Sequence, residues 1–516
     1  MVVSGVASMG LEIVAGRLVA ATFGSSVFVW GSVIGVFLAA LAIGYWIAGR
    51  RAGTHASRTT LSASLLFAAA YVAILVVAGE AVVAAVADVG LPARFAPLLP
   101  VTLLFGPPTV LLGFVSPFGA ELVEARSTGD ASGRVYALGT AGSILGAFGT
   151  TFVLVPAVGL PVIEAGFGLL LVASAVVVAP RGSVAVFAGA AFVGLGLVAG
   201  LTLFLGLPGG DVVQDTETPY QHLRIADEGS VRTMYLDGGP QSAMDLDDPD
   251  RYVFDYSSYL HLPLLAVEDL DDVDRVLFIG GGGFSSPKRY RAAYPDVTVD
   301  VVELDPAVVR AAKTYFGVEE SDRLRIHTTD GRVFLRETTR TYDVVVLDAF
   351  RSTQVPYHLT TVEFLTLVRE RLDEDGVVVA NIISSTKGAD GAFYRAQYRT
   401  MAQAFPQVYS FPTRDAVGLQ NIELLATVDA ERLTEDDFLA RNARRRIGLD
   451  LADEIRRYTV DVRTGSAPLL TDDYAPVDSL LATQVDRSYV PERITNESAA
   501  ATTSQPAIAV SGRSAG

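Results

Sequence analysis

Arg275-Val276-Leu277-Phe278-Ile279-Gly280-Gly281-Gly282-Gly283 is the run on which the fold turns. An apolar run rich in branched and aromatic side chains, broken by glycines, reads as a buried strand ending in a tight bend. A polar-faced segment follows, then a second apolar run, Val297 to Val302, which ends on Glu303-Leu304-Asp305. Asp330-Gly331 comes next, and a third run, Tyr342 to Leu347, closes on Asp348. Strand, glycine bend, helix, strand, acid is the order of a nucleotide-binding βαβ unit. Glycine tolerates positive φ and lets a ligand approach the backbone closely. Glu303, at the end of the second strand, is placed to accept both hydroxyls of a ribose. Asp348 falls where α/β sites gather, at a strand's carboxyl end.

Outward from this stretch the chain divides by solvent. Half of its 516 residues are hydrophobic, and the mean hydropathy is +0.38. From Met1 to Leu207 there are eight Lys/Arg and seven Asp/Glu, whereas the remainder holds 32 basic and 50 acidic residues. Lipid suits the first part and water the second. Only three lysines occur, Lys288, Lys313 and Lys387. An acidic, Lys-poor surface suits a salt-rich, halophilic cytoplasm, and a GC-rich genome is the alternative source of the Arg and Ala bias. The acidity argues against nucleic acid as a partner, since phosphate backbones need basic patches. The absence of Cys excludes disulfides, zinc–thiolate sites and Cys nucleophiles. The five His show no metal-ligand spacing, so no metal is expected.

Seven apolar stretches each approach the ~20 residues needed to cross a bilayer: Val2–Ala21, Val27–Ala48, Leu61–Val77, Leu98–Phe118, Val135–Val158, Pro161–Val178 and Val184–Leu205. The first lacks the basic flank of a signal peptide and is read as a retained helix. Gly142, Gly146 and Gly149 recur at a spacing that lets helices pack closely in lipid. Glu12 and Arg17, five apart in the first span, are expected to pair loosely or snorkel; Glu164 lies inside the sixth. Gly106-Pro107-Pro108 is a candidate kink. Loop arginines put alternate loops and the N-terminus in the cytoplasm. With seven spans that parity sends the C-terminal half outside, whereas a nucleotide-type site argues for the cytoplasm. Three readings reconcile the two: one stretch does not span, Glu80–Val89 belongs to an extra short pass, or the site faces out. The expected location is a multi-pass plasma-membrane protein, with the lipid bilayer as partner and the catalytic half in the cytoplasm.

The expected domains are a helical membrane domain (1–207), a small β region with a connecting helix (208–265), a Rossmann-like domain (266–489) and a disordered tail (490–516). Within the β region, Tyr220–Ile225 and Arg232–Leu236 flank an Asp227-Glu228-Gly229-Ser230 turn and read as a hairpin. Tyr252 to Leu265 reads as helical. After Asp348 the pattern continues with helices over Thr361–Leu372 and Phe393–Ala404 and a strand over Val377–Ile382.

Tyr220-Gln221, Leu236-Asp237-Gly238, the Gly280 loop, Val302-Glu303-Leu304-Asp305, Asp330-Gly331 and Asp348 stand in the order found in spermidine synthases, which the soluble half resembles. The whole chain is most similar to membrane-fused spermidine-synthase-like proteins. Gly10-Leu11-Glu12 with Arg17, Pro356-Tyr357-His358-Leu359-Thr360-Thr361 and Thr471-Asp472-Asp473-Tyr474-Ala475-Pro476 look like that branch. The resemblance implies an N-terminal all-α multi-span domain and a C-terminal α/β Rossmann-like domain of the methyltransferase type, preceded by a small β hairpin region. It implies a transferase whose co-substrate is decarboxylated S-adenosylmethionine or S-adenosylmethionine. Glu303 would hold the ribose, Asp330 the adenine amine, Gly331 the face of the base, and Gln221 the aminopropyl arm, with Gly280 and Gly282 shaping the loop. Asp348 would take the catalytic place. Tyr256, Arg351 and His358 are this sequence's own candidate substrate contacts. A polyamine acceptor and a homodimer are implied partners.

The sequence departs from the family pattern where cations bind. The loop acid of Gly-Gly-Gly-Asp-Gly-Gly is Gly283 here, followed by Phe284 and Ser285. The acid three residues after the catalytic one is Arg351. In the aromatic segment the usual Tyr falls at Asp255, with Tyr256 one place on, and the following Glu position is Ser257. Three functions therefore stand at this point: a membrane-anchored aminopropyltransferase, a methyltransferase acting on a non-polyamine acceptor anchored by Arg351, and a non-catalytic nucleoside-sensing transporter or scaffold.

Overall fold

The computed structural model describes residues 1–24, 26–89, 91–92, 94–123, 127–206, 211–350, 354–414, 418–445, 447–484 and 489–494. Two compact units are present. The first comprises Met1–Ala226, Tyr235–Gly239 and Ala482–Ser488; the second comprises Asp227–Met234, Pro240–Leu481 and Tyr489–Gly516.

In the first unit, seven helices among the described residues are long and apolar enough to cross a membrane. They begin with α1 (Val2–Phe23), α2 (Val27–His55) and α3 (Arg58–Ala87). The fourth span divides into α4 (Leu98–Gly113) and α5 (Val115–Leu122). The last three are α6 (Thr128–Gly149), α7 (Leu160–Val178) and α8 (Val184–Gly206). Polar caps start the helices that follow short loops: Ser26 accepts from the Val29 amide, and Ser57 forms a reciprocal capping box with Thr60. Helix α3 runs on through Glu80 to Ala87, so Glu80–Val89 is not an extra pass.

Pro107 and Pro108 lie within α4, and the break falls later, at Phe114. A proline frees the carbonyl one turn earlier. The Tyr71 hydroxyl of α3 donates to Leu103 O at 2.6 Å, supplying the bond that Pro107 lacks. Helices α1 and α6 pack backbone to backbone. A Cβ on Gly142 would stand 2.1 Å from Val2 O, and one on Gly146 2.4 Å from Val6 O. Gly149 meets nothing within 4 Å and takes no part in this seam. Arg17 does not pair with Glu12. Its guanidinium donates to Pro219 O at 2.6 Å and lies 3.9 Å from Glu217.

A small antiparallel sheet follows in the order β1 (Val212–Glu217), β2 (His222–Glu228), β3 (Val231–Leu236) and β4 (Gly239–Asp245). The expected hairpin is β2–β3, turning through Gly229 at φ 61°. It carries a further strand on each side. Tyr252 to Leu265 is not one helix but two single turns, α9 (Tyr256–Tyr259) and α10 (Pro263–Ala266). Pro263 has no amide hydrogen to continue the first turn.

The second unit is built on a seven-stranded sheet. Its strands are β5 (Arg275–Ile279), β6 (Thr298–Glu303), β7 (Leu324–Thr328), β8 (Tyr342–Leu347), β9 (Leu372–Ser384), β10 (Gln407–Pro412) and β11 (Gln420–Thr427), in the order β10-β11-β9-β8-β5-β6-β7. Strands β5 to β9 pair in parallel, while β11 runs antiparallel to β9 and β10. The connecting helices are α11 (Ser285–Ala293), α12 (Pro306–Tyr315), α13 (Gly331–Glu337), α14 (Val362–Arg369) and α15 (Ala392–Ala404). This is the Rossmann-like, methyltransferase-type architecture expected from the sequence. One face packs Ile279, Leu347, Ala380, Ile382, Ile422 and Leu424 into a single apolar cluster with Phe364, Leu365 and Phe393. The segment expected to lose order from Val490 is paired at its start: Ile494 N donates to Val253 O at 2.8 Å, and Asp255 N to Glu492 O at 3.0 Å. The rest of that tail, from 495, lies outside the described residues.

Asp300 interrupts the buried run of β6 and is 1% exposed. His327 Nε2 lies 2.9 Å from its Oδ1, and Arg340 and the Tyr342 hydroxyl each reach Oδ2 at 3.1 Å. Removing one partner of a buried charged network leaves the others unsatisfied. Asp300→Ala is expected to destabilise the second unit by about 3 kcal/mol, read as a lowered Tm of that unit's unfolding transition.

Candidate active site

Register builds the site. Ile279 pairs with Val302 and with Leu347, and Leu347 pairs with Ala380. The next residues along, Glu303, Gly280, Asp348 and Asn381, therefore fall in one row at the carboxyl ends of β6, β5, β8 and β9. In β11 Glu423 pairs directly with Asn381 and extends the row.

The glycine bend is closed by the chain's own atoms. Gly280, at φ 104°, could carry no side chain, because a Cβ would lie 2.3 Å from Asp348 O. A Cβ on Gly281 would strike the Phe284 ring at 2.6 Å, and one on Gly282 would meet Ser242 Oγ at 2.7 Å. Gly283 N donates to that Ser242 hydroxyl at 2.8 Å. Phe284 sits in the left-handed region at φ 59°, where the family pattern has glycine; its fully buried ring compensates for that backbone.

Glu303 is turned toward this bend. Its Oε2 accepts from Gly281 N at 2.9 Å and Gly282 N at 3.4 Å, and its Oε1 accepts from Asp305 N at 2.9 Å. Burial pushes the carboxyl up, and the three amides act against that rise. Asp330 begins α13, with Oδ1 accepting from Arg332 N at 2.9 Å and Val333 N at 3.0 Å. Its Oδ2 lies 2.8 Å from His358 Nε2. Burial raises the Asp330 carboxyl, but the His358 contact and the two amides outweigh it, and the group is held below its usual range. Gly331 lies against β5, where a Cβ would meet Ile279 Cγ2 at 2.5 Å. Arg332 donates to His358 O at 3.2 Å and to Asp472 at 2.7 Å, so Asp472 braces the His358 loop.

Asp348 is partly buried. Its Oδ1 accepts from Asn381 Nδ2 at 2.8 Å, and Asn381 Oδ1 accepts from Asn421 Nδ2 at 2.8 Å. Tyr489 donates its hydroxyl to Asn421 Oδ1. Burial pushes the Asp348 carboxyl up to about 6, opposed by the Asn381 hydrogen bond. Tyr256 is buried and donates to Gln241 O at 3.2 Å; burial and then the Asp348 charge hold its phenol well above the usual range. Glu303, Asp330, Gly331, Asp348, Tyr256 and His358 thus all belong to the second unit, whereas Gln221 belongs to the first. Arg351 lies outside the described residues. Sequence reasoning missed Ser242, Asn381, Asn421 and Glu423; for the last three the available signal was polar residues inside the apolar runs of β9 and β11.

Residues 254–413 match the family model described as Spermine/spermidine synthase domain. The chain carries a spermidine-synthase-type domain. A polyamine aminopropyltransferase of Vibrio vulnificus is 27% identical over 279 residues, which cover 52% of this chain and 91% of that protein. A probable polyamine aminopropyl transferase of Bifidobacterium longum is 27% identical over 249 residues, 45% of this chain and 53% of that one. The spermidine synthase structure from Thermotoga maritima aligns at 21% identity and a TM-score of 0.37 over 46% of this chain and 78% of its own.

A carboxyl with a raised folded-state pKa binds its proton more tightly folded than unfolded. Its contribution is then full below the ordinary carboxylate range and is lost as pH rises through the folded value. For Asp348 the window runs from about pH 4 to about 6. Asp348→Asn is expected to lessen the fall of Tm across this window, by the equivalent of order 2 kcal/mol, in melts at stepped pH.

Proposed function

We propose that this protein is a membrane-anchored transferase of the aminopropyltransferase type, moving an alkyl group from decarboxylated S-adenosylmethionine to an amine. The observation that carries the reading is the single row that places Glu303, the glycine bend and the partly buried Asp348 at adjacent strand ends, inside the region that matches the spermidine synthase family. The residues present fit an adenosyl donor. Glu303 offers carboxylate oxygens to a vicinal diol, Asp330 offers an acceptor to an adenine amine, and Asp348 supplies negative charge where a sulfonium and an amine would meet. The seven apolar helices support anchoring in a bilayer. Gln221 remains a candidate for the aminopropyl arm.

When bound, the sulfonium supplies the leaving group: the acceptor nitrogen forms a bond to the adjacent carbon, the carbon–sulfur bond breaks, and its electron pair stays on sulfur as a neutral thioether. Asp348 orients the attacking amine and takes its proton. A carboxyl held near neutrality by burial suits that task better than a fully solvated one. Asn381 fixes the rotamer of Asp348, so the base is aligned before the acceptor arrives.

The test is mass spectrometry of products after the purified full-length protein meets each donor and a mixture of amines. Aminopropylated amine is the expected product; methylated product, or none, overturns the reading. Asp348→Asn is expected to lower kcat by roughly 100- to 10,000-fold with donor affinity retained. Glu303→Gln is expected to weaken donor binding roughly tenfold or more in calorimetry. In the wild type, kcat/KM is expected to fall as pH drops below about 6, where Asp348 becomes protonated.

A further inference from the structure

Glu423 is an acid that the transfer step does not use. It is fully buried in β11, and both of its carboxylate oxygens are without a hydrogen-bond partner among the described residues. A buried carboxylate left unpaired is costly, and chains normally pair it or replace it. No partner comes from its own row. Asn381, directly opposite, gives its amide hydrogen to Asp348 and its oxygen to Asn421. The acids around it add to the imbalance: burial first, then the charges of Asp255 and Asp348, push the Glu423 carboxyl well above its usual range. Asp255 feels the same surroundings; burial and the nearby Glu492 push it up to about 6. The arginine that faces Asp255, Arg414, is itself paired with Glu492 at 2.8 Å.

Three carboxylates therefore share one buried region, and among the described residues the one deepest in the sheet has no counter-charge. We propose that Glu423, helped by Asp255, anchors the far ammonium group of a linear di- or polyamine whose near nitrogen meets Asp348. This assignment rests on the transfer reading above and deepens it. Strand β9 alone separates β8 from β11, so the two acids stand about 10 Å apart at the backbone. A linear diamine lying over β9, across Asn381, would run from one acid to the other. The acids absent from the family positions Gly283 and Arg351 have a substitute on a different strand.

Calorimetry on the detergent-solubilised full chain, with 1,4-diaminobutane and 1-aminobutane as probes, tests this. Titrations are run with and without 5′-methylthioadenosine. Wild type is expected to bind the diamine at least about tenfold more tightly than the monoamine. Glu423→Gln is expected to erase that preference, weakening the diamine roughly 10- to 100-fold while leaving the monoamine unchanged, an outcome that a purely structural role would not produce. The amide loses no existing partner, so the variant is expected to melt no lower than wild type. Asp255→Asn is a second variant, expected to weaken the diamine in the same direction. A wild type with no diamine preference, or a Glu423→Gln variant that keeps it, overturns the assignment. Diamine binding without product in the mass-spectrometric assay would instead overturn the transfer reading and leave the anchor standing.

Discussion

Strand register is the constraint on which this site depends. Glu303, Gly280, Asp348, Asn381 and Glu423 stand on or just beyond the neighbouring strands β6, β5, β8, β9 and β11. Side chains alternate faces along a strand, so a slip of one residue in β9 or β11 would bury Ala380 or Ile422 at the site and turn Asn381 or Glu423 into the helix-covered core. That core holds the register. Leu347, Ala380, Ile382, Ile422 and Leu424 pack as one apolar cluster against α14 and α15. The residues between them are thereby committed to the opposite face, where α9 brings Asp255 and Tyr256. Packing on one side of the sheet is what fixes chemistry on the other.

A second consequence is preorganisation. Glu303 is already held by the amides of the glycine bend, Asp330 by the first turn of α13 and by His358, and Asp348 by Asn381. A carboxylate oxygen has more than one lone pair, so these bonds aim the groups without exhausting them. Freezing such side chains in advance removes an entropy cost that ligand binding would otherwise carry. The glycines serve the same end. They let Asp348 O, Ser242 and Phe284 approach the bend closely, which locks the loop rather than leaving it pliable.

Local signals carried much of this into the sequence, and non-local ones did not. The long apolar helices were legible because length and hydropathy are properties of single segments, and the strands ending at Gly280, Glu303 and Asp348 because each is a short apolar run closed by a glycine or an acid. The exact contacts of the bend were not, since Ser242 lies some forty residues upstream of Gly283. Asn381 and Glu423 were hidden for a related reason. A polar residue inside an apolar run shows its face only once its neighbours in the sheet are known, and β11 is inserted between β9 and β10 against the order of the chain. The proline pair in α4 is a local signal with a non-local answer: a tyrosine on another helix supplies the donor that Pro107 lacks. Likewise the composition of the tail says nothing of Glu492 and Ile494 pairing with residues near 254.

The placement of the acids also bears on which acceptor the site can tolerate. An acid on a buried strand sits where the effective dielectric is lower, so each opposite charge brought to it is felt more strongly. The same burial is costly without a cation, because burial and then the charges of Asp255 and Asp348 raise the affinity of Glu423 for a proton. A neutral or anionic acceptor would leave that repulsion in place. A cation relieves it, and whatever binds the folded chain alone stabilises it. Placing charge inside the sheet thus trades stability of the free protein for attraction toward a cation.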